Sequence, residues 1–438
     1  MLDYGFKGKL YALNPRGGEV WGLRMHASIR DIPESVDYVI SCIPASKALQ
    51  LIEDCAVKGV RVVQFFTSGF SEAGTEMGKQ LERKISNLAR QKGITVVGPN
   101  CVGVYCPEGG ISYVSDFPKE SGSVALICQS GGNTTYLVRE AARRGVRFSK
   151  VVSYGNAADV DESDLLAYLA GDPHTTIILA YIEGVKDGQR FSRVLREAAK
   201  INPIVVLKSG ITESGASAAA SHTGALSGAD RVWDGLLRQV GAVRVYTLDE
   251  LIDMAVTFSY LPPLSGRRAG VLGLGGGATV IATDECIGAG LIVPRFPQAT
   301  CRKLSSFLGS GAGMISNNPI DISPKAAKLG FYNTLNILAD YYGIDLIMVH
   351  FPLGLVWVSP HNKLLDPLLN DVIKAHKEIT KPLIVVIHFP TYSEDYEWML
   401  ESQKKCYEAA IPVYHSIKSA AKAVDRFLRY HERKRTSG

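Results

Sequence analysis

A single histidine, His222, stands in the run AAASHTGALSG (residues 218–228), among alanines, glycines and small hydroxyl residues. No bulky neighbour in sequence is there to bury it. An imidazole so placed is available as an acid–base group or as a nucleophile, and the bland alternative is an ordinary surface histidine. The small-residue stretch around it runs from Ser209 to Gly228. Stretches of this length without regular structure are usually functional or disordered. Glu183 closes the apolar run in TIILAYIEGVKDG, and the His222 stretch follows the next apolar run, PIVVLKSG. If these runs are adjacent parallel strands, both groups stand on one rim, where ligands collect in open α/β sheets. A carboxylate there holds one imidazole nitrogen as N–H and leaves the other free to attack.

A second motif lies upstream. VALICQSGGNTTYLVREAARRG reads as a buried strand, a turn Ser130-Gly131-Gly132-Asn133, and a helix. Glycines at that turn let backbone N–H groups converge on an anion at the positive helix end, although an empty tight turn would carry the same pattern. Gly224 and its alanine neighbours would allow the His222 segment to approach a phosphate held there. A third glycine pattern, Gly273-x-Gly275-x-x-Ala278, matches a dinucleotide fingerprint. The run after it, GLIVPRF, reads as the next strand and ends without the acid that would hold a ribose, so close helix–strand packing is the expected explanation.

These motifs need a scaffold, and the chain supplies it in series. Continuous apolar runs alternate with amphipathic stretches: KLYALN, YVISCIP, RVVQFF and TVVGPN, then SVALICQ, FSKVVSYG, TTIILAYIEG and PIVVLKSG, then RAGVLGLG, LIMVHFP, PLIVVIHFP and IPVYHS. SKALQLIEDCAVKG and TEMGKQLERKISNLARQKG read as helices between the first strands. Unbroken β-branched runs imply parallel strands buried on both faces. With 438 residues the chain exceeds one core. The expected architecture is three doubly wound α/β parallel-sheet domains, at 1–118, 119–262 and 263–434, the last two rough repeats of each other.

The composition, 46% hydrophobic and 21% charged, is that of an ordinary soluble globular protein. The net charge of +5 is spread along the chain, and the basic tail RYHERKRTSG reads as a solvated terminus, so no nucleic-acid partner is expected. Eight cysteines occur without a CxxC pair; neither a metal nor a disulfide framework is expected, and Cys42, Cys101 and Cys128 read as reduced core residues. Neither a signal peptide nor a spanning apolar run is apparent, so the expected location is cytoplasmic, away from membranes.

The fragments GPNCVGVY, CQSGGN, VSYGNAADVDESDLLAYLAGDP, YIEGVKDGQRF, IVVLKSGITESGASAAASHTGALSGAD and NNPIDI together resemble the NDP-forming acyl-CoA synthetases, relatives of succinyl-CoA synthetase. The resemblance covers nearly the whole chain and corresponds to the α part: a Rossmann-like CoA-binding domain and two flavodoxin-like CoA-ligase domains. It implies an ADP-forming acyl-CoA ligase in which His222 becomes phosphorylated, Glu183 orients it, and Ser130, Gly131, Gly132 and Asn133 hold phosphate. It further implies that Arg16, Phe66, Thr67 and Ser68 contact coenzyme A, a substrate, and that Asn100 and Asn156 lie near the thioester. An ATP-grasp β subunit would carry ADP or ATP with Mg. The start of the chain departs from the family: the first strand, glycine turn and helix that grip the CoA phosphates have no counterpart in MLDYGFKGKLYALNP. The expectations drawn from that are weak CoA binding, a first domain partly disordered or closed by re-paired strands, and a native product that starts upstream of Met1. Two rival readings are a catalytically inactive CoA-binding regulatory protein and a nicotinamide oxidoreductase built on Gly273–Ala278.

Overall fold

The structure, a computed structural model, describes residues 1–215, 229–308, 316–322, 324–353, 365–390, 392–393 and 395–437. The chain divides into two compact units, one of residues 1–139 and 147–251, the other of residues 140–146 and 252–438.

In the first unit, Tyr38–Ser41, Val62–Phe65 and Thr95–Val97 form a three-stranded parallel sheet. Helices Ala48–Lys58 and Glu76–Gln91 connect them. The first of these stops at Gly59, whose φ of 78° is the left-handed conformation that a helix end favours. The second starts at Thr75, whose hydroxyl accepts the N–H of Gly78. Ile52, Cys55, Val63, Phe65, Ile85 and Val96 fill the core between sheet and helices. Full burial of an aliphatic side chain of this kind stabilises by about 1.5–3 kcal/mol. Upstream, Ala12–Leu13 pairs in parallel with Leu23–His26, which also takes Glu19–Val20 antiparallel.

The larger sheet of this unit runs Val243–Val245, Ile204–Lys208, Ile177–Ile182, Val124–Cys128, Phe148–Ser153, Gly103–Tyr105. Its first five strands are parallel, in the order 2-1-3-4-5 when counted along the chain from Val124 and read from the Phe148–Ser153 side, the flavodoxin-like arrangement. The strands Val124–Cys128, Ile177–Ile182 and Ile204–Lys208 are buried at every residue. That is what their unbroken apolar runs require, since helices cover both faces of such a sheet. Gly103–Tyr105 joins the sheet antiparallel to Phe148–Ser153, a pairing that nothing in its short sequence signals.

In the second unit, Ile320–Asp321, Ala269–Gly273, Leu346–Phe351, Leu383–Ile387 and Val413–Tyr414 form one parallel sheet in that spatial order, again 2-1-3-4-5 along the chain. The doubly wound α/β class and the repeat of one architecture therefore stand.

Two expectations need correction. GLIVPRF is not a strand: Ile292 makes one isolated bridge to Arg268, and the strands flanking Ala269–Gly273 are Ile320–Asp321 and Leu346–Phe351. Pro294 and Pro297 lack the N–H that a ladder needs, and the Pro294 carbonyl is taken instead by the Asn318 side chain at 2.9 Å. Cys42 is not a core residue either. It follows the last residue of Tyr38–Ser41 and is exposed, whereas Cys101 and Cys128 are buried.

Candidate functional site

The C-terminal ends of the parallel strands in the first unit meet at a cavity of about 440 Å³, lined by Phe66, Thr67, Ser68, Asn100, Cys101, Val102, Gln129, Ser130, Gly131 and Gly132. Phe66-Thr67-Ser68 continues the strand Val62–Phe65 of the smaller sheet. Hydrogen bonds to neighbouring segments hold it, beginning with the Phe66 N–H, which donates to the Ser41 carbonyl at 3.0 Å. The Thr67 hydroxyl donates to the Ile43 carbonyl at 2.6 Å, and the Asn100 N–H donates to the Thr67 carbonyl at 3.1 Å. Phe66 remains half exposed (51%), leaving apolar surface at the cavity. Asn100 has a φ of 56°, which an asparagine tolerates better than a branched residue.

Opposite stands the turn after Val124–Cys128. Helix Gly131–Arg143 begins there, and its first N–H groups have no partner within the helix. The Ser130 hydroxyl accepts the Asn133 N–H at 3.3 Å, so Asn133 closes the turn from within and does not line the cavity. A Cβ on Gly131 would come 3.1 Å from Val102, whereas one on Gly132 would meet nothing within 4 Å. A side chain at Gly131 would thus crowd Val102, whereas Gly132 leaves open room at a helix N-terminus suited to an anion.

Glu183 follows Ile177–Ile182 directly and is buried (7% exposed). The Tyr181 hydroxyl donates to Glu183 Oε1 at 3.3 Å. Its backbone N–H donates to Gln129 Oε1, as does that of Gly184 at 3.0 Å. Because Ile182 pairs with Lys208, Glu183 and Ser209 leave adjacent strands at the same rim. His222 lies outside the described residues.

Asn156 is buried beside the cavity, not on its wall. Its side-chain oxygen accepts from Asn100 at 3.5 Å, and its nitrogen donates to Glu72, to Ser71 Oγ at 3.2 Å and to Glu82 Oε2 at 2.8 Å. Arg16 is exposed on the turn before Glu19–Val20, with its N–H on Asn14 Oδ1, and is not among the cavity residues. The structure thus brings together Phe66, Thr67, Ser68, Asn100, Ser130, Gly131 and Gly132, with Glu183 held one residue behind through Gln129.

Burial pushes the thiols of Cys101 and Cys128 up to about 12, so neither is a thiolate at neutral pH. Sequence reasoning missed Gln129 and Lys208. Both carry a signal: a polar residue adjoining a wholly apolar run.

In the second unit Gly273 packs against the next helix: a Cβ there would lie 3.2 Å from Thr279 Cγ2. An acid does end the neighbouring strand, contrary to expectation, but the Asp321 carboxylate accepts the Gly275 N–H at 2.7 Å. Among the described residues no group of three or more His, Cys, Asp or Glu side chains is arranged to hold a metal ion, and no helix is long and apolar enough to cross a membrane.

Comparison with known proteins decides the family. Residues 1–107 match a CoA-binding domain, and residues 121–258 match a succinyl-CoA ligase-like flavodoxin domain. The ADP-forming acetate–CoA ligase I subunit alpha of Pyrococcus furiosus is 34% identical, over 98% of this chain and 91% of its own length. The chain belongs to the ADP-forming acetate–CoA ligase family. In agreement, the dinucleotide-forming acetyl-coenzyme A synthetase 1 of Ca. Korarchaeum cryptofilum, solved with phosphate and ADP, superposes with a TM-score of 0.82 at 30% identity, covering 98% of this chain and 90% of that one. Another family member, the acetate–CoA ligase I of Archaeoglobus fulgidus, is 38% identical over 78% of this chain, which spans 50% of that protein's length.

Proposed function

We propose that the chain is the acyl-CoA- and phosphate-handling part of an ADP-forming acyl-CoA ligase. The observation that carries the reading is one cavity walled on one side by Phe66, Thr67, Ser68 and Asn100 and on the other by the Ser130–Gly132 helix end. A phosphate oxygen attacks the thioester carbonyl carbon, the C–S bond breaks, and CoA leaves as its thiol. The resulting acyl phosphate gives its phosphoryl group to a nitrogen of His222 and departs as the carboxylate. Phosphohistidine then transfers the group to ADP, forming ATP. Helix N–H groups favour the phosphate oxygens while charge is redistributed. Glu183 favours the imidazole tautomer whose free nitrogen attacks, and stabilises the positive ring that results.

In this reading residues 1–118 take the CoA, 119–262 the phosphoryl group, and 263–434 complete the α part. ADP, with Mg, is bound by an ATP-grasp β subunit, consistent with the naming of the Pyrococcus relative as a subunit alpha. The eight free cysteines fit a reducing compartment such as the cytoplasm.

The test is ATP formation from a panel of acyl-CoAs with phosphate and ADP. The chain with a copurified ATP-grasp subunit is expected to make ATP, and the chain alone none. ATP synthesis by the chain alone, or none by the complex with any acyl-CoA, contradicts the reading.

A further inference from the structure

Lys208 ends a strand whose other residues are Ile, Val, Val and Leu, all buried, and is itself only 3% exposed. An ammonium group taken out of water needs partners. It has them in an unusual place: Nζ donates to the Glu183 carbonyl at 2.7 Å and to the carbonyl of Ser209, and lies 5.5 Å from the centre of the Trp233 ring. Gln129 takes the N–H of the same Glu183 residue from the opposite neighbouring strand. Glu183 is therefore gripped at its N–H by the residue before the glycine turn, and at its carbonyl by the residue before the His222-bearing segment.

The charged and titratable groups that face Lys208 come from three elements. They are Glu183 at the end of the neighbouring strand, Asp230 in helix Asp230–Val240, and Arg244 in the edge strand Val243–Val245. Arg244 is paired with Asp230. Burial is the largest influence and lowers Lys208 to about 8, with Arg244 acting in the same direction and Glu183 and Asp230 against it.

We propose that Lys208 is a positioning residue for phosphoryl transfer, its ammonium charge tying the Glu183 carbonyl to the first residue of the His222-bearing segment. This rests on the assignment of His222 and Glu183 made above. The ammonium is charged below about 8, so the grip is in place at neutral pH and weakens as pH rises through that value.

The test compares wild type, Lys208→Arg and Lys208→Met for phosphoryl labelling of His222 from acyl-CoA and phosphate between pH 6.5 and 10. Wild type is expected to lose rate above about pH 8. Arg, which stays protonated, should move that alkaline limb up by about one pH unit or more. Met should lower kcat at pH 7 by about tenfold or more, leave the KM for acyl-CoA within about twofold, and abolish the limb. Hydrogen exchange at Glu183 and Gly184, read at pH 7 without any substrate, should quicken in Lys208→Met. Should both variants fail to fold, wild type alone still decides: these two amides should lose protection above pH 8 relative to the amides of Ile177–Ile182. A limb that persists in Lys208→Met, or unaltered protection at Glu183 and Gly184, overturns the role of Lys208. Wild type that labels at no pH overturns the His222 assignment instead, and the exchange result still stands on its own.

Discussion

Gln129 and Glu183 are joined side chain to backbone: one amide oxygen of Gln129 accepts the N–H of Glu183 and that of Gly184. The contact links the turn proposed to hold phosphate to the carboxylate proposed to orient His222. Gln129→Met keeps the length of the side chain and removes the acceptor. Two buried N–H groups are then left unpaired, at a cost of about 1–3 kcal/mol each. The expected result is a lower denaturation midpoint together with slower phosphoryl transfer. Full activity at wild-type stability would show that Glu183 holds its place without Gln129.

Gly132 separates ligand binding from folding. A methyl group there meets no protein atom within 4 Å, and the residue lies in the first turn of helix Gly131–Arg143. Gly132→Ala should therefore leave stability unchanged or raise it by about 0.4–1 kcal/mol. It should also raise the KM for phosphate, because the methyl stands where the anion would approach the N–H groups. Thermal melts and phosphate titrations check both halves, and an unchanged phosphate KM would remove the anion from this turn.

Glu162 gives the fold a pH dependence of its own. It is buried, and desolvation raises its carboxyl from 4.5 to about 7, with Asp161 adding to the effect. Between those values the folded chain holds a proton that the unfolded chain has lost. The stability contribution of Glu162 is thus complete below 4.5 and is lost as pH rises through about 7. Glu162→Gln should match wild type in melting temperature near pH 4.5 and exceed it by a growing margin up to pH 8. A constant difference across that range would contradict the burial argument.

Much of this was legible in the sequence, and the exceptions have physical reasons. The long β-branched runs such as IILAYI and IVVLK could only be strands buried on both faces, and their order along the chain gave the doubly wound class. Two-residue strands carry no comparable pattern, so Ile320–Asp321 went unseen, and with it the acid beside Gly275. GLIVPRF has strand composition, but Pro294 within it and Pro297 just after it lack the N–H that pairing needs, a conflict that composition alone does not resolve. The positions of Ser130–Gly132 at a strand-to-helix turn and of Glu183 at a strand end were visible because glycine turns and strand ends have positional meaning. Gln129 and Lys208 were not, because their roles depend on which strands lie side by side. Arg16 was expected by resemblance alone; it is exposed and is not among the residues lining the cavity.

The central claim is a phosphoryl group on His222. The most direct measurement is to incubate the chain with acyl-CoA and radiolabelled inorganic phosphate, then map the label by peptide and by its chemistry. The predicted result is one labelled peptide spanning His222, stable to base and labile to acid, and no label in His222→Ala. Label on another residue, or label undiminished in His222→Ala, would contradict it.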